Sequence, residues 1–260
     1  MVLAVDIGNT NIHVGLFDKG EDGSPRAVFC LGTDERRSAD EYALLFSALS
    51  ERNGVPASEI SEVIVGSVVP TLTGKVQSAL KALTDAPVTV VGPGVKTGFS
   101  IRLPDPSELG ADLCANAAGA IAAVGVPCVT VDLGTATVVS AVTADKVFPG
   151  ASILPGVQMS FGALDETGML KQVSPGAPTA IGRSTEEAIR SGVLYGQSYA
   201  ITGLVRQYIR TLGLPENAPV VVTGGYAEGL LPMLPASYRY VPMLTLRGLY
   251  EIALLNGRKK

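Results

Sequence analysis

Asp6-Ile7-Gly8-Asn9-Thr10-Asn11 sets a carboxylate at the end of a short apolar run, Val2-Leu3-Ala4-Val5, and puts a glycine and small polar residues in the turn behind it. Ile12-His13-Val14-Gly15-Leu16-Phe17-Asp18 then alternates like the returning strand of a hairpin. Glycine lets the backbone approach a ligand closely, and successive N–H groups can cradle phosphate oxygens. A carboxylate repels phosphate directly, but it can hold a hard divalent cation that bridges to it. An ordinary Asp-Gly-Asn hairpin turn that binds nothing has the same composition.

The pattern recurs. Asp132-Leu133-Gly134-Thr135-Ala136-Thr137 follows Val129-Thr130-Val131 and precedes Val138-Val139-Ser140-Ala141-Val142, close to half a chain length after the first copy. Two half-chain repeats, each opening with a turn of this kind, predict a duplicated domain with a nucleotide held between the halves. Other residues carry chemistry less visibly. Asp112, in Gly110-Ala111-Asp112, opens a helix, where the dipole favours a carboxylate for structural reasons alone. Thr185 stands in a helix-opening stretch, Ser184-Thr185-Glu186-Glu187, and Thr223-Gly224-Gly225 ends a strand and suits either a close ligand pass or a plain turn. His13, the one histidine, falls inside a strand and reads as structural; without a second histidine or a nucleophilic serine motif a hydrolase triad is excluded.

The elements that must position these residues follow from periodicity and punctuation. After a polar loop from Asp18 to Pro25, Arg26 to Leu31 reads as a strand, and Ser38 caps a helix that carries Tyr42, Leu44, Leu45, Phe46 and Leu49 on roughly one face and that Gly54 ends. Val63 to Ser67 is a strand, Pro70 opens a helix with Val76, Leu80 and Leu83 on its buried face, and Val88 to Val91 is a strand. Ser100 to Glu108 is an irregular crossing segment, and a helix runs from Leu109. The second half repeats the scheme with strands over Cys128 to Val131, Thr137 to Thr143 and Lys146 to Leu154. A helix from Ser184 to about Leu212, a strand at Val220 to Thr223, an extended stretch near Tyr238 to Val241 and a last helix over Leu244 to Asn256 complete it, with Arg258-Lys259-Lys260 as a solvated tail.

Bulk properties narrow the function. The chain has 260 residues, 47% of them apolar, enough for one large or two modest domains with a real core. A net charge of −4 gives no basic excess for nucleic acid or an anionic membrane. Cys30, Cys114 and Cys128 show no Cys-x-x-Cys spacing and read as reduced, buried thiols of a cytoplasmic protein. Asp6 interrupts the apolar start and no basic segment precedes it, so no signal peptide is expected. The apolar stretch from Cys114 to Val131, broken by Gly125 and Pro127, reads as a buried helix running into a buried strand rather than a membrane span.

In order and spacing, the motifs resemble those of the type III pantothenate kinases, within the sugar kinase/actin/Hsp70 superfamily. The resemblance runs nearly end to end, through Asp6 to Asn11, Ser67-Val68-Val69-Pro70, Gly110-Ala111-Asp112, Asp132 to Thr137, Pro155-Gly156, Gly182-Arg183-Ser184-Thr185, Ser191-Gly192, Tyr195-Gly196, Thr223-Gly224-Gly225 and Leu244-Thr245-Leu246-Arg247-Gly248-Leu249. It implies an α/β fold of duplicated ribonuclease-H-like (actin-like ATPase) domains, each a mixed five-stranded sheet flanked by helices. The expected halves are 1–115 and 116–260, with the helix at about 244–256 packing back on the fold. It implies ATP-dependent phosphorylation of the pantothenate hydroxyl, the first step of coenzyme A synthesis, in a cytoplasmic homodimer. ATP, Mg²⁺ and a monovalent cation (K⁺ or NH₄⁺) are the implied cofactors. Asp6 would hold Mg²⁺; Gly8, Asn9, Thr10 and Asn11 would line the β- and γ-phosphates, faced by Gly134 and Thr135. Asp132 would lie at the monovalent-cation site, Asp112 would be the general base, Thr223, Gly224 and Gly225 would pass the adenosine, and Gly110 and Thr185 would border the acceptor.

The match breaks in one pocket. Leu113 stands where the family has an arginine for the pantothenate carboxylate, and Leu103 where it has a pocket-lining tyrosine. Leucine cannot pair with a carboxylate. Two alternatives therefore accompany the leading reading: a kinase of the same fold for a different, less anionic alcohol, and a non-catalytic regulatory paralogue. The retained Asp6, Asp112 and Asp132 speak against the latter.

Overall fold

A computed structural model describes residues 1–20, 23–165 and 176–257. Two compact units emerge: Met1–Ala122 with Leu244–Lys260, and Ala123–Met243.

The first unit contains β1 (Val2–Ile7), β2 (Asn11–Phe17), β3 (Ala27–Gly32), α1 (Ala39–Arg52), β4 (Glu62–Ser67), α2 (Pro70–Leu83), β5 (Val88–Val90), the short β6 (Ser100–Ile101) and α3 (Ala111–Val124), whose last turn holds the unit boundary. Its sheet runs β3-β2-β1-β4-β5, with β1 antiparallel to β2, β2 antiparallel to β3, and β4 parallel to both β1 and β5. The second unit contains β7 (Cys128–Leu133), β8 (Ala136–Val142), β9 (Val147–Phe148), β10 (Ala151–Pro155), α4 (Val157–Asp165), α5 (Thr185–Thr211), β11 (Val220–Thr223), α6 (Ala227–Leu230) and β12 (Arg239–Tyr240). The sheet β10-β8-β7-β11-β12 repeats the first one strand for strand, including the parallel and antiparallel senses. The duplicated α/β architecture expected from the repeated turn is therefore observed. The chain closes with α7 (Leu244–Asn256).

β1 is buried on both faces, which is why it reads as a continuous apolar run. Leu3, Val5 and Ile7 meet Ile12, Val14 and Leu16 of β2 beneath Tyr42 and Phe46 of α1 and Leu72, Val76 and Leu80 of α2. Val2, Ala4, Phe17 and Ile64 face the other way, against Ala115 and Ala118 of α3 and Leu246, Leu249, Tyr250 and Ile252 of α7. Tyr250 stacks on Phe17 with centroids 4.7 Å apart, and its hydroxyl donates to Asp18 O at 3.1 Å. Burying a side chain of this size contributes about 1.5–3 kcal/mol. A Cβ on Gly248 would run into the Ala115 carbonyl, so glycine is what lets α7 cross α3 at backbone contact. These contacts assign Leu244–Lys260 and the whole of Ala111–Ala122 to the first unit, whereas the sequence division at 115/116 put α7 and most of α3 in the second half.

α1 starts on a reciprocal cap: Ser38 Oγ accepts from Glu41 N at 3.2 Å, and Glu41 Oε2 accepts from Ser38 N at 2.7 Å. In the second unit Val129, Val131, Leu133, Val139 and Ala141 lie under Val157 and Phe161 of α4 and Ile189, Val193, Ile201 and Val205 of α5.

Local differences from the sequence reading have local causes. The strand expected over 146–154 is two, β9 and β10, parted by Pro149-Gly150, because proline cannot donate to a ladder. α4 and α6 were not expected. Cys30 is exposed rather than buried, since β3 is an edge strand; Cys114 and Cys128 are buried, and all three thiols are free. Among the described residues no helix is long and apolar enough to cross a membrane. Arg258-Lys259-Lys260 lies outside the described residues.

Candidate active site

The first turn is built by register. Asp6 pairs with His13 on β2 and with Gly66 on β4, and Gly8 N–H donates to Asn11 O at 2.9 Å, leaving Asn9-Thr10 as the tip. Val68 N–H donates to Ile7 O at 3.0 Å, so Ser67-Val68-Val69-Pro70 leaves β4 directly beside Asp6. Gly66 has no side chain in the way of its neighbours: a Cβ there would lie 3.0 Å from Leu249 Cδ2 and 3.6 Å from Ala111 Cβ. The start of α3 thereby sits over the end of β4, and Asp112 reaches the same end of the sheet as the Asp6 turn.

Asp112 is the second residue of α3. Its Oδ1 accepts from Leu113 N at 2.8 Å. A Cβ on Gly110 would run into that Oδ1, so a larger residue before the helix would push the carboxylate out of this position. Burial pushes the Asp112 carboxyl above the ordinary carboxylate range, and the N–H groups of Leu113 and Asp112 pull it back in part. A carboxylate made more basic in this way is better suited to accept a proton from an alcohol.

His13 is half-buried between Asp6 on one side and Cys30 on the other. Burial lowers its pKa, which keeps the ring neutral near pH 7. Its position next to Asp6 was not foreseen.

In the second unit Asp132 pairs with Val138 on β8 and with Thr223 on β11. Gly134 N–H donates to Ala136 O at 3.1 Å, which makes this tip one residue shorter than the first. Two glycines wedge it. A Cβ on Gly156 would run into Thr135 O, and one on Gly224, whose φ is +99°, would run into the Leu133 backbone. Tyr226 N–H donates to Leu133 O at 3.0 Å, so Thr223-Gly224-Gly225 is tied to the turn. Register and these contacts bring Asp132, Gly134, Thr135, Thr223 and Gly224 together at one end of the second sheet.

Thr185 opens α5 on the Ser184 cap and lines an open groove of about 640 Å³ between α4 and α5, together with Ser160, Leu164, Ile189, Val193 and Gln197. Leu103 and Leu113 are half-buried in the first unit and belong to none of its apolar clusters.

Two contributors were missed. Thr33, just past β3, donates from Oγ1 to Gly8 O at 2.6 Å and from its N–H to Thr10 O at 3.0 Å. Gln197, buried on α5, donates from Nε2 to Pro155 O at 2.6 Å and accepts from Thr137 Oγ1 at 3.2 Å, joining the helix to the foot of the second turn. A polar residue facing apolar neighbours on α5 was a signal for Gln197; nothing local marked Thr33.

Comparison with known proteins agrees with this geometry. The family model for type III pantothenate kinase matches residues 2–207. Proteins named type III pantothenate kinase from Dehalococcoides mccartyi (strain CBDB1) and Streptomyces avermitilis are 38% and 36% identical, covering 98% and 96% of this chain and 96% of each relative. Among solved structures, a Baf family transcriptional activator from Campylobacter jejuni superposes with a TM-score of 0.61 at 20% identity over 98% of both chains. The activator of 2-hydroxyisocaproyl-CoA dehydratase from Clostridium difficile does so with a TM-score of 0.54 at 13% identity, over 100% of this chain and 98% of its own. At those identities the structures speak for the fold alone, while the sequence matches speak for more: the chain belongs to the type III pantothenate kinase family.

Proposed function

We propose that this protein transfers the γ-phosphoryl group of ATP to the hydroxyl of pantothenate, opening coenzyme A synthesis. The observation that carries the reading is Asp112: a carboxylate raised by burial, at a helix start, with its Oδ1 packed close against Gly110. In the reaction the acceptor oxygen bonds to the γ-phosphorus, the bond to the β,γ-bridging oxygen breaks, ADP leaves, and the hydroxyl proton passes to Asp112. Little covalent chemistry is asked of the protein beyond positioning and charge.

Asp6 is the residue to hold Mg²⁺. Among the described residues no three His, Cys, Asp or Glu side chains cluster as a metal cage. That suits Mg²⁺, which keeps several waters and takes one or two carboxylates plus substrate phosphates. When bound, the ion neutralises charge on the β- and γ-phosphates. Gly8, Asn9, Thr10 and Asn11 are the proposed lining for those phosphates, Gly134 and Thr135 are the matching residues of the second turn, and Thr223-Gly224-Gly225 is the proposed adenosine contact. Asp132 holds K⁺ or NH₄⁺, and Gly110 and Thr185 border the acceptor. The same reading makes the protein a cytoplasmic homodimer, and a monomer mass by light scattering counts against that part.

A second reading keeps the kinase and changes the acceptor. It is favoured by Leu113, whose N–H holds the Asp112 carboxylate and whose side chain offers the acceptor no charge. The test for both is ATP-dependent ADP release over a panel of alcohols. Strong turnover of pantothenate, reduced about 10²–10⁴-fold in kcat by Asp112→Asn, supports the first reading. Turnover of another alcohol with none of pantothenate supports the second, and no turnover of any sinks both.

A further inference from the structure

The tip between Gly8 and Asn11 is held by the hairpin and also from outside it. Thr33 follows the edge strand β3, whose Gly32 pairs with Asn11. From there its hydroxyl takes the Gly8 carbonyl at 2.6 Å and its N–H takes the Thr10 carbonyl at 3.0 Å. In a planar trans peptide the N–H points opposite to the C=O. Fixing the Gly8 carbonyl therefore fixes the direction of the Asn9 N–H, and fixing the Thr10 carbonyl fixes that of Asn11. Thr33 is itself anchored through the next residue: Asp34 N–H donates to the Tyr42 hydroxyl at 3.2 Å, and that hydroxyl donates to Asp34 O at 2.9 Å. Tyr42 is fully buried in the α1 core. A short rigid path thus runs from the core of the unit to the tip.

The second unit is built differently at the matching position. Pro155 pairs with Ala136 as Gly32 pairs with Asn11, so Gly156 occupies the place of Thr33. A side chain there would collide with Thr135 O.

We propose that Thr33 is a positioning residue of the kinase: it aims the Asn9 and Asn11 N–H groups of the tip at the nucleotide phosphates. The proposal rests on the ATP-dependent reading above. Its test uses the full-length protein with Thr33→Val, which removes the hydroxyl at constant shape, and Thr33→Ser, which keeps it. Two quantities are read: the KM values for ATP and pantothenate, and backbone hydrogen exchange over 6–12 in the unliganded protein. Thr33→Val should speed exchange there and raise KM for ATP about tenfold with the KM for pantothenate unchanged, and Thr33→Ser should restore both. Unchanged exchange in Thr33→Val overturns the proposal, as does faster exchange with an unchanged KM for ATP, or a serine variant that behaves like the valine. Should the wild-type protein turn over no acceptor, the kinase reading falls, and the exchange comparison still decides whether Thr33 holds the tip.

Discussion

Asp6 and Asp132 occupy the same place in two copies of one sheet, and they keep different company. Each sits one residue before the end of a central strand, with an antiparallel partner on one side and a parallel partner on the other. The parallel neighbour of Asp6 is Gly66, which admits the start of α3 and with it Asp112. The parallel neighbour of Asp132 is Thr223, buried at 3% exposure and followed by Gly224, whose backbone is wedged against Leu133. Duplication preserved the frame because a register slip would turn every core side chain of β1 or β7 to the wrong face. What diverged is what stands beside the parallel strand's end: a helix bearing a titratable carboxylate in one unit, bare glycine backbone in the other.

The largest expected effect separates the two aspartates. Asp6→Asn removes the charge proposed to hold a divalent cation on the transferring phosphates, and kcat/KM for ATP should fall about 10²–10³-fold. Asp132→Asn should cost about tenfold and abolish any activation by K⁺, because a weakly hydrated monovalent ion contributes less charge. Steady-state kinetics with Mg²⁺ and K⁺ titrated separately provide the measurement. Equal losses in both variants, with K⁺ dependence unaltered, would break the distinction.

A smaller difference lies in how tightly each turn is packed. Gly156→Ala and Gly224→Ala both force a Cβ into backbone that cannot retreat, the latter also at φ +99°, and each should lower stability by about 1–3 kcal/mol. Gly8→Ala meets only Asn11 O, at 3.1 Å, and should cost at most about 1 kcal/mol. Urea denaturation of the three variants checks the order. A first turn as intolerant as the second would mean that its backbone is braced more widely than by Thr33 and Asn11.

The sequence carried the frame well and the contacts poorly, for physical reasons that differ by residue. Both hairpins, the Ser38 cap and the limits of α7 were legible because turn chemistry, capping and periodicity are local. The membership of α7 was not, since an apolar helix face does not name the sheet it will cover. α6 is too short for a period to register, and α4 begins just after Pro155-Gly156, where the sequence reading placed no element. Cys30 went wrong because exposure on β3 depends on which strand ends the sheet. The place of Asp112 in its motif was visible, but its raised pKa comes from burial by tertiary packing. The Thr33 clamp spans 25 positions, and no spacing rule links a hydroxyl to a distant carbonyl.

The smallest expected effect is on stability, and its sign makes it diagnostic. Asp112 has a folded-state pKa raised above its ordinary value, so the native state binds that proton more tightly than the unfolded chain does. Its contribution is then fully present below the unfolded-state value of about 3.9 and is lost as pH rises through the folded-state pKa. Ionising this buried carboxylate costs the fold stability. Asp112→Asn should therefore melt at a higher temperature than wild type near pH 7.5, with the gap closing as pH is lowered toward the ordinary carboxylate value. Thr223→Val, at the parallel neighbour of Asp132 where the second unit has no such helix, should show no pH-dependent gap. The same ionisation should appear as an acid limb in wild-type kcat, displaced above the ordinary carboxylate range. A wild-type protein as stable as Asp112→Asn near pH 7.5 would mean that burial does not strain this carboxylate, and the contrast between the two units would then rest on geometry alone.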